Sequence, residues 1–103
     1  MQLDHIAINV KHIQKSIDWY VTNLNAEIKY SDETWAMLQV GDTSLALTIS
    51  EQHPPHVAFC VKDTTEFRGP LGQCGIHRDG SKYNYISDPD GNVVELIYWP
   101  PKP

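Results

Sequence analysis

One short phrase is written twice in this chain. His5-Ile6-Ala7-Ile8-Asn9-Val10-Lys11 returns as His56-Val57-Ala58-Phe59-Cys60-Val61-Lys62. Both copies read histidine, branched aliphatic, alanine, large apolar, variable, valine, lysine. Such a recurrence is improbable by chance in 103 residues, so the chain is expected to hold two copies of one supersecondary unit. Copies related by a pseudo-two-fold axis bring His5 and His56 to equivalent places. The phrase also alternates. Ile6, Ile8 and Val10 fall on one side of an extended chain, and His5, Ala7 and Asn9 on the other. That period of two belongs to a strand with one apolar face and one small, polar face.

The ends of the two copies differ in one informative residue. The first closes on Asp42-Thr43-Ser44-Leu45-Ala46-Leu47-Thr48, the second on Gly91-Asn92-Val93-Val94-Glu95-Leu96-Ile97. Counted from the copy's own histidine, Ala46 and Glu95 fall at nearly the same distance. Alternation puts His5, His56, Ala46 and Glu95 each on the side opposite the large apolar set. Two imidazoles and a carboxylate on one surface are donors suited to a divalent ion, with the fourth corner blank. Ala7, Ala58, Ser44 and Thr48 make the rest of that surface small, which predicts a concave lining.

Between these strands the pattern reads β-α-β-β-β twice. Ile13, Ile17, Tyr20, Val21 and Leu24 recur near helical spacing, and Asn25 suits a helix end. Strands are expected at 26–30, 35–40 and 44–50, with Gly41-Asp42 as a hairpin signal. Pro54-Pro55 marks a linker. In the second copy Val57, Phe59 and Val61 are expected on the core face. Asp63 with Glu66 three residues on resembles a capping box. Gly69-Pro70, Gly72 and Gly75 limit the helix that follows to one or two turns. Strands are expected at 76–78, 83–87 and 93–99, with Asp88-Pro89-Asp90-Gly91 as a turn. The reading is one α+β domain over 1–103: a first module at about 1–50, a second at about 54–100, and a half-open barrel around a concave site.

Composition excludes several classes. A net charge of -5 without a Lys/Arg cluster argues against a nucleic-acid partner. No apolar run approaches 18 residues, so no membrane span is expected. Met1-Gln2-Leu3-Asp4 lacks a signal-peptide pattern. Cys60 and Cys74 show no metal-knuckle spacing and read as free thiols of a cytoplasmic protein. A chain this short buries a modest share of its surface, and Tyr98, Trp99 and Pro100-Pro101 offer an apolar patch, so a homodimer is expected.

The chain resembles the vicinal oxygen chelate superfamily, which includes glyoxalase I, fosfomycin-resistance proteins, extradiol dioxygenases and bleomycin-resistance proteins. The stretches that carry the resemblance are Asp4-His5-Ile6-Ala7-Ile8-Asn9-Val10, Ser16-Ile17-Asp18-Trp19-Tyr20, His56-Val57-Ala58-Phe59, and Ser87 to Leu96 with its Asp-Pro-Asp-Gly turn and following glutamate. The similarity covers nearly the whole chain and departs at the shortened second helix. It implies metal ligands at His5, His56 and Glu95. Alanine at 46 offers no donor where glyoxalase I members have a fourth ligand. Fosfomycin-resistance enzymes and extradiol dioxygenases, with two histidines and one glutamate, match better.

The resemblance therefore implies a metal-dependent lyase, transferase or dioxygenase. The divalent ion would be Fe, Mn, Ni or Zn, and the substrate a small oxygen-bearing molecule. Asn9, Ala46, Thr48 and Tyr85 are candidate substrate-binding residues, and Tyr85 is also the candidate catalytic hydrogen-bond donor. The alternative is a metal-free protein that sequesters a small molecule, as bleomycin-resistance proteins do. His12, His53 and His77 read as solvated.

Overall fold

The computed structural model describes residues 1–49, 53–68, 74–77 and 79–101. Ser50, Gly69, Pro70, Gly72 and Arg78, which the sequence reading used, lie outside the described residues. The chain groups into two units. One spans His5–Pro55; the other joins Met1–Asp4 to His56–Pro103.

The first unit holds β1 (Gln2–Asn9, whose first residues belong to the other unit), α1 (Ile13–Leu24), β2 (Glu27–Ser31), β3 (Trp35–Val40) and β4 (Thr43–Thr48). Its strands run in the order β2-β3-β4-β1, with β1 and β4 parallel. The register sorts the side chains into two faces. Ile6 lies opposite Leu45 and Ile8 opposite Leu47, while Ala36 and Leu38 lie opposite Leu47 and Leu45. These residues share the face that packs beneath α1, where Ile13, Ile17, Ala26, Ala36, Leu38 and Leu47 form the buried cluster.

The helix touches that cluster through a narrower stripe than its spacing predicts. Ile13 and Ile17 are buried and Tyr20 packs against them, but Val21 and Leu24 are exposed. The helix ends where Asn25 turns left-handed at φ 54°, a conformation asparagine tolerates better than other residues with a side chain. A second local device holds the β2–β3 hairpin. Asp32 Oδ1 accepts hydrogen bonds from Thr34 N (2.8 Å), Thr34 Oγ1 (2.9 Å) and Trp35 N (3.0 Å), and Oδ2 accepts one from Tyr30 Oη (2.7 Å). Those bonds favour the carboxylate and hold its pKa well below the usual range.

The second unit holds β5 (His56–Cys60), a single 3₁₀ turn at Thr64–Glu66, β6 (Cys74–Ile76), β7 (Lys82–Ser87) and β8 (Val93–Tyr98). The strand order is β5-β8-β7-β6, with β5 and β8 parallel. The capping box forms as the sequence indicates: Asp63 accepts from Thr65 N at 2.9 Å, and Glu66 accepts from Asp63 N at 3.3 Å.

Two expectations need correction here. Alternation places Val57 on a core face, yet it is 37% exposed. The α-helix that covers the equivalent face of the first unit is here a single 3₁₀ turn among the described residues. The strand expected at 76–78 lies instead at Cys74–Ile76. The turn closing the β6–β7 hairpin claims His77, whose N–H donates to Ser81 O at 2.8 Å, with Gly80 at φ +90°.

The repeat has a structural counterpart in matching registers. Ala7 pairs with Ala46 in the first unit, and Ala58 with Glu95 in the second. Val10 N donates to Thr48 O at 2.8 Å, and its counterpart Val61 N donates to Ile97 O at 2.9 Å. Among the described residues, no helix is long and apolar enough to cross a membrane.

Candidate metal centre

Glu95 sits in the middle of β8 and is 1% exposed. Period-two alternation puts Val93, Glu95 and Ile97 on one face. The register adds His56, Ala58 and Cys60 from β5 and Ser87, Tyr85 and Tyr83 from β7 to the same face. A carboxylate at this depth is costly unless charge or hydrogen bonds compensate it. Two imidazoles stand next to its two oxygens. His56 Nε2 lies 3.4 Å from Oε1, and His77 Nε2 lies 2.8 Å from Oε2.

The two distances mean different things. At 2.8 Å the His77 contact is an ordinary charge-assisted hydrogen bond. The 3.4 Å between His56 and Oε1 is longer than such a bond. It matches the spacing of two donors that share one ion, since ligands about 2.1 Å from a metal sit roughly 3.0–3.4 Å apart. The donor set therefore fits a divalent ion. His56 itself is 8% exposed, with its ring 5.4 Å from that of Tyr85, edge to face.

Tyr85 lies directly opposite Glu95 in the β7–β8 register. Burial raises the pKa of its phenol, and the neighbouring Glu95 carboxylate raises it further. The hydroxyl stays protonated across the physiological range and is a hydrogen-bond donor. Tyr83, two residues earlier on the same face, touches Tyr85 edge to face at 5.2 Å.

In the first unit His5 occupies the position on β1 that His56 occupies on β5, and it is equally buried at 8%. Ala46, the counterpart of Glu95, is buried between Ala7 and Met37. Thr48 is buried and donates through Oγ1 to Asn9 Oδ1 at 2.9 Å, so these two candidate pocket residues are bonded to each other. Ser44 Oγ donates to Gln39 Oε1 at 3.1 Å.

His77 is the residue that sequence reasoning missed. Its sequence context suggests a solvated residue, but its side chain is only 23% exposed and it bonds Glu95. Its ring stacks on Tyr83, centroids 3.9 Å apart and planes 18° from parallel. The signal was the hairpin register. Gly75 pairs with Tyr83, so His77, two residues on, follows the same face as Tyr83, Tyr85 and Glu95.

The turn before β8 aims the glutamate. Asp88 Oδ1 accepts from Asp90 N (2.9 Å) and Asn92 N (2.8 Å), Oδ2 accepts from Asn92 Nδ2 (2.8 Å), and Gly91 supplies φ +85°. Asp88 is thus a turn residue, as its sequence context indicates. The bonds from Asn92 lead in lowering its pKa. A depressed folded pKa adds stability above the ordinary aspartate range that is lost as pH falls through the folded value. Thermal melts of Asp88→Asn should therefore fall below wild type at pH 7, and the gap should close as pH drops below about 4.

Residues 2–68 match the sequence profile of the Glyoxalase/Bleomycin resistance protein/Dioxygenase superfamily. The chain belongs to this superfamily, the vicinal oxygen chelate group. A metallothiol transferase FosB from Staphylococcus haemolyticus is 30% identical, over 91% of this chain and 81% of the relative. Among solved structures, a hypothetical protein from Bacillus halodurans C-125 superposes with a TM-score of 0.76 at 18% identity, covering 99% of this chain and 96% of that one. Methylmalonyl-CoA epimerase of Streptomyces coelicolor, in complex with 2-nitronate-propionyl-CoA, gives 0.73 at 17% identity, covering 95% and 96%. At these identities the two structures speak to the fold.

Proposed function

We propose that the chain is a metal-dependent enzyme of the vicinal oxygen chelate type. In this reading His5, His56 and Glu95 hold one divalent ion (Fe, Mn, Ni or Zn), and the substrate is a small molecule bearing adjacent oxygens. The observation that carries the proposal is the buried His56–Glu95 pair at ligand spacing, 3.4 Å apart. The buried histidine at the matching position of the other copy supplies the third donor. The bound ion would act as a Lewis acid, polarising a substrate oxygen and lowering the cost of negative charge that develops there.

The chain's own groups supply the rest. Tyr85, held protonated beside Glu95, donates a hydrogen bond to a developing oxyanion. Asn9 and Thr48, already bonded to each other, offer polar edges to the substrate, and Ala46 leaves room where a longer side chain would fill the corner. Among the reaction classes we place transfer to the substrate first, because the curated relatives are metallothiol transferases. Lyase and dioxygenase chemistry are the other outcomes of a substrate screen over small diols, thiols and phosphonates.

Purification without chelator followed by elemental analysis is expected to find about one divalent transition-metal ion per chain. Adding that ion to stripped protein should raise the melting temperature, by mass action on the folded state. Metal-free protein whose melting is indifferent to every divalent ion would overturn the reading. Small-molecule binding that survives chelation would favour sequestration instead.

A further inference from the structure

We propose that His77 is a positioning residue that fixes the rotation of the Glu95 carboxylate. It would bind one oxygen so that the other is presented to the ion. The inference rests on the metal-centre reading above and adds a residue to it. Its basis is the division of labour between the two carboxylate oxygens. Oε2 is 2.8 Å from His77 Nε2, whereas Oε1 is 3.4 Å from His56 Nε2. A carboxylate only accepts hydrogen bonds, so the 2.8 Å contact requires His77 to present its Nε2–H. Bonding of this kind orients metal ligands and tunes their basicity.

The imidazole is itself held in three ways. Its backbone is pinned at both ends of the peptide unit: His77 N donates to Ser81 O (2.8 Å), and His77 O accepts from Gly80 N (2.9 Å). Asp79 Oδ1 locks the same turn by accepting from Ser81 N (2.9 Å) and Ser81 Oγ (2.6 Å), and Ser81 is fully buried. The ring lies flat on Tyr83 at 3.9 Å. Tyr83 can occupy that seat because Gly75 faces it across the hairpin: a Cβ at 75 would stand 2.5 Å from the Tyr83 hydroxyl oxygen. A surface histidine in transit would need none of this. A group that must hold a carboxylate at one angle benefits from all of it, because a pre-set donor loses little entropy on binding.

Two substitutions separate the ring's roles. His77→Phe keeps the stack on Tyr83 and removes the donor; His77→Gln gives up the stack and keeps an N–H. With folding checked by circular dichroism, Mn(II) titration calorimetry should show His77→Phe weaker than wild type by roughly 10–100-fold, with His77→Gln recovering most of the loss. The visible absorption of the Co(II)-loaded protein should also shift in His77→Phe, since the carboxylate turns. Binding within twofold of wild type together with an unchanged Co(II) spectrum overturns the proposal.

If His77→Phe fails to fold, nitrogen-15 NMR of the wild-type imidazoles decides. Nε2 of His77 should stay protonated when Zn(II) is added, and loss of that proton overturns the assignment. Wild-type protein that binds none of these ions sinks the metal centre and this inference together. Intact wild-type binding with an unaffected His77→Phe sinks only the inference.

Discussion

Glu95→Gln should lose divalent-metal affinity by more than about 100-fold, a larger effect than the roughly 10–100-fold expected for a residue that only orients a ligand. Glutamine is nearly isosteric with glutamate, so packing on β8 should survive and the loss should be electrostatic. The amide removes the one negative charge that the proposed donor set brings to the ion. It also places an NH₂ donor against either His56 or His77, where an acceptor now stands 3.4 Å and 2.8 Å from the respective nitrogens. Titration calorimetry with Mn(II) or Zn(II) reads the change directly. Wild-type affinity in Glu95→Gln would leave the carboxylate without a role at the ion.

Leu38→Ala should produce the other large effect, on stability. Leu38 is fully buried on β3, between Ile28 of β2 and Leu45 of β4, in the cluster beneath α1. Truncation leaves a cavity among neighbours held by strand pairing on both sides, so the site cannot collapse to fill it. The expected loss is about 3–5 kcal/mol. In a domain of this size that lowers the melting temperature by more than about 10 °C. Chemical denaturation with an unchanged m-value checks it, and a loss below about 1 kcal/mol would show that the core is not where the register puts it.

The first half of the chain was legible because its information is local. Alternation in β1, β3 and β4 and helical spacing over Ile13–Leu24 each specify an element and its buried face without reference to distant residues. The residues proposed as donors stand out in the sequence for a related reason. Duplication made His5 and His56 comparable, and alternation put Glu95 on their side. What local pattern could not carry was pairing. Val57 looks like a core residue until one knows that, among the described residues, the second unit has a single 3₁₀ turn where the first has α1.

His77 shows the same limit more sharply. Its bond to Glu95 depends on Gly75 lying opposite Tyr83 and Tyr85 lying opposite Glu95. Both pairings are set across hairpins, and a one-residue slip in either would turn His77 or Glu95 to the other face, because alternation has a period of two.

The counterpart positions 46 and 95 give the two copies unequal duties. Around Ala46 the partners are Ala7 and Met37, and the small, uncharged corner leaves its copy with a covered core to maintain. Around Glu95 the partners are Ala58 and Tyr85, with His56 and His77 reaching in. Damage should follow the same partition. Lesions beneath α1 should appear as protein that melts early yet still captures the proposed ion once folded. Lesions along β7 and β8 should appear as protein that comes off the column empty and melts where stripped wild type does.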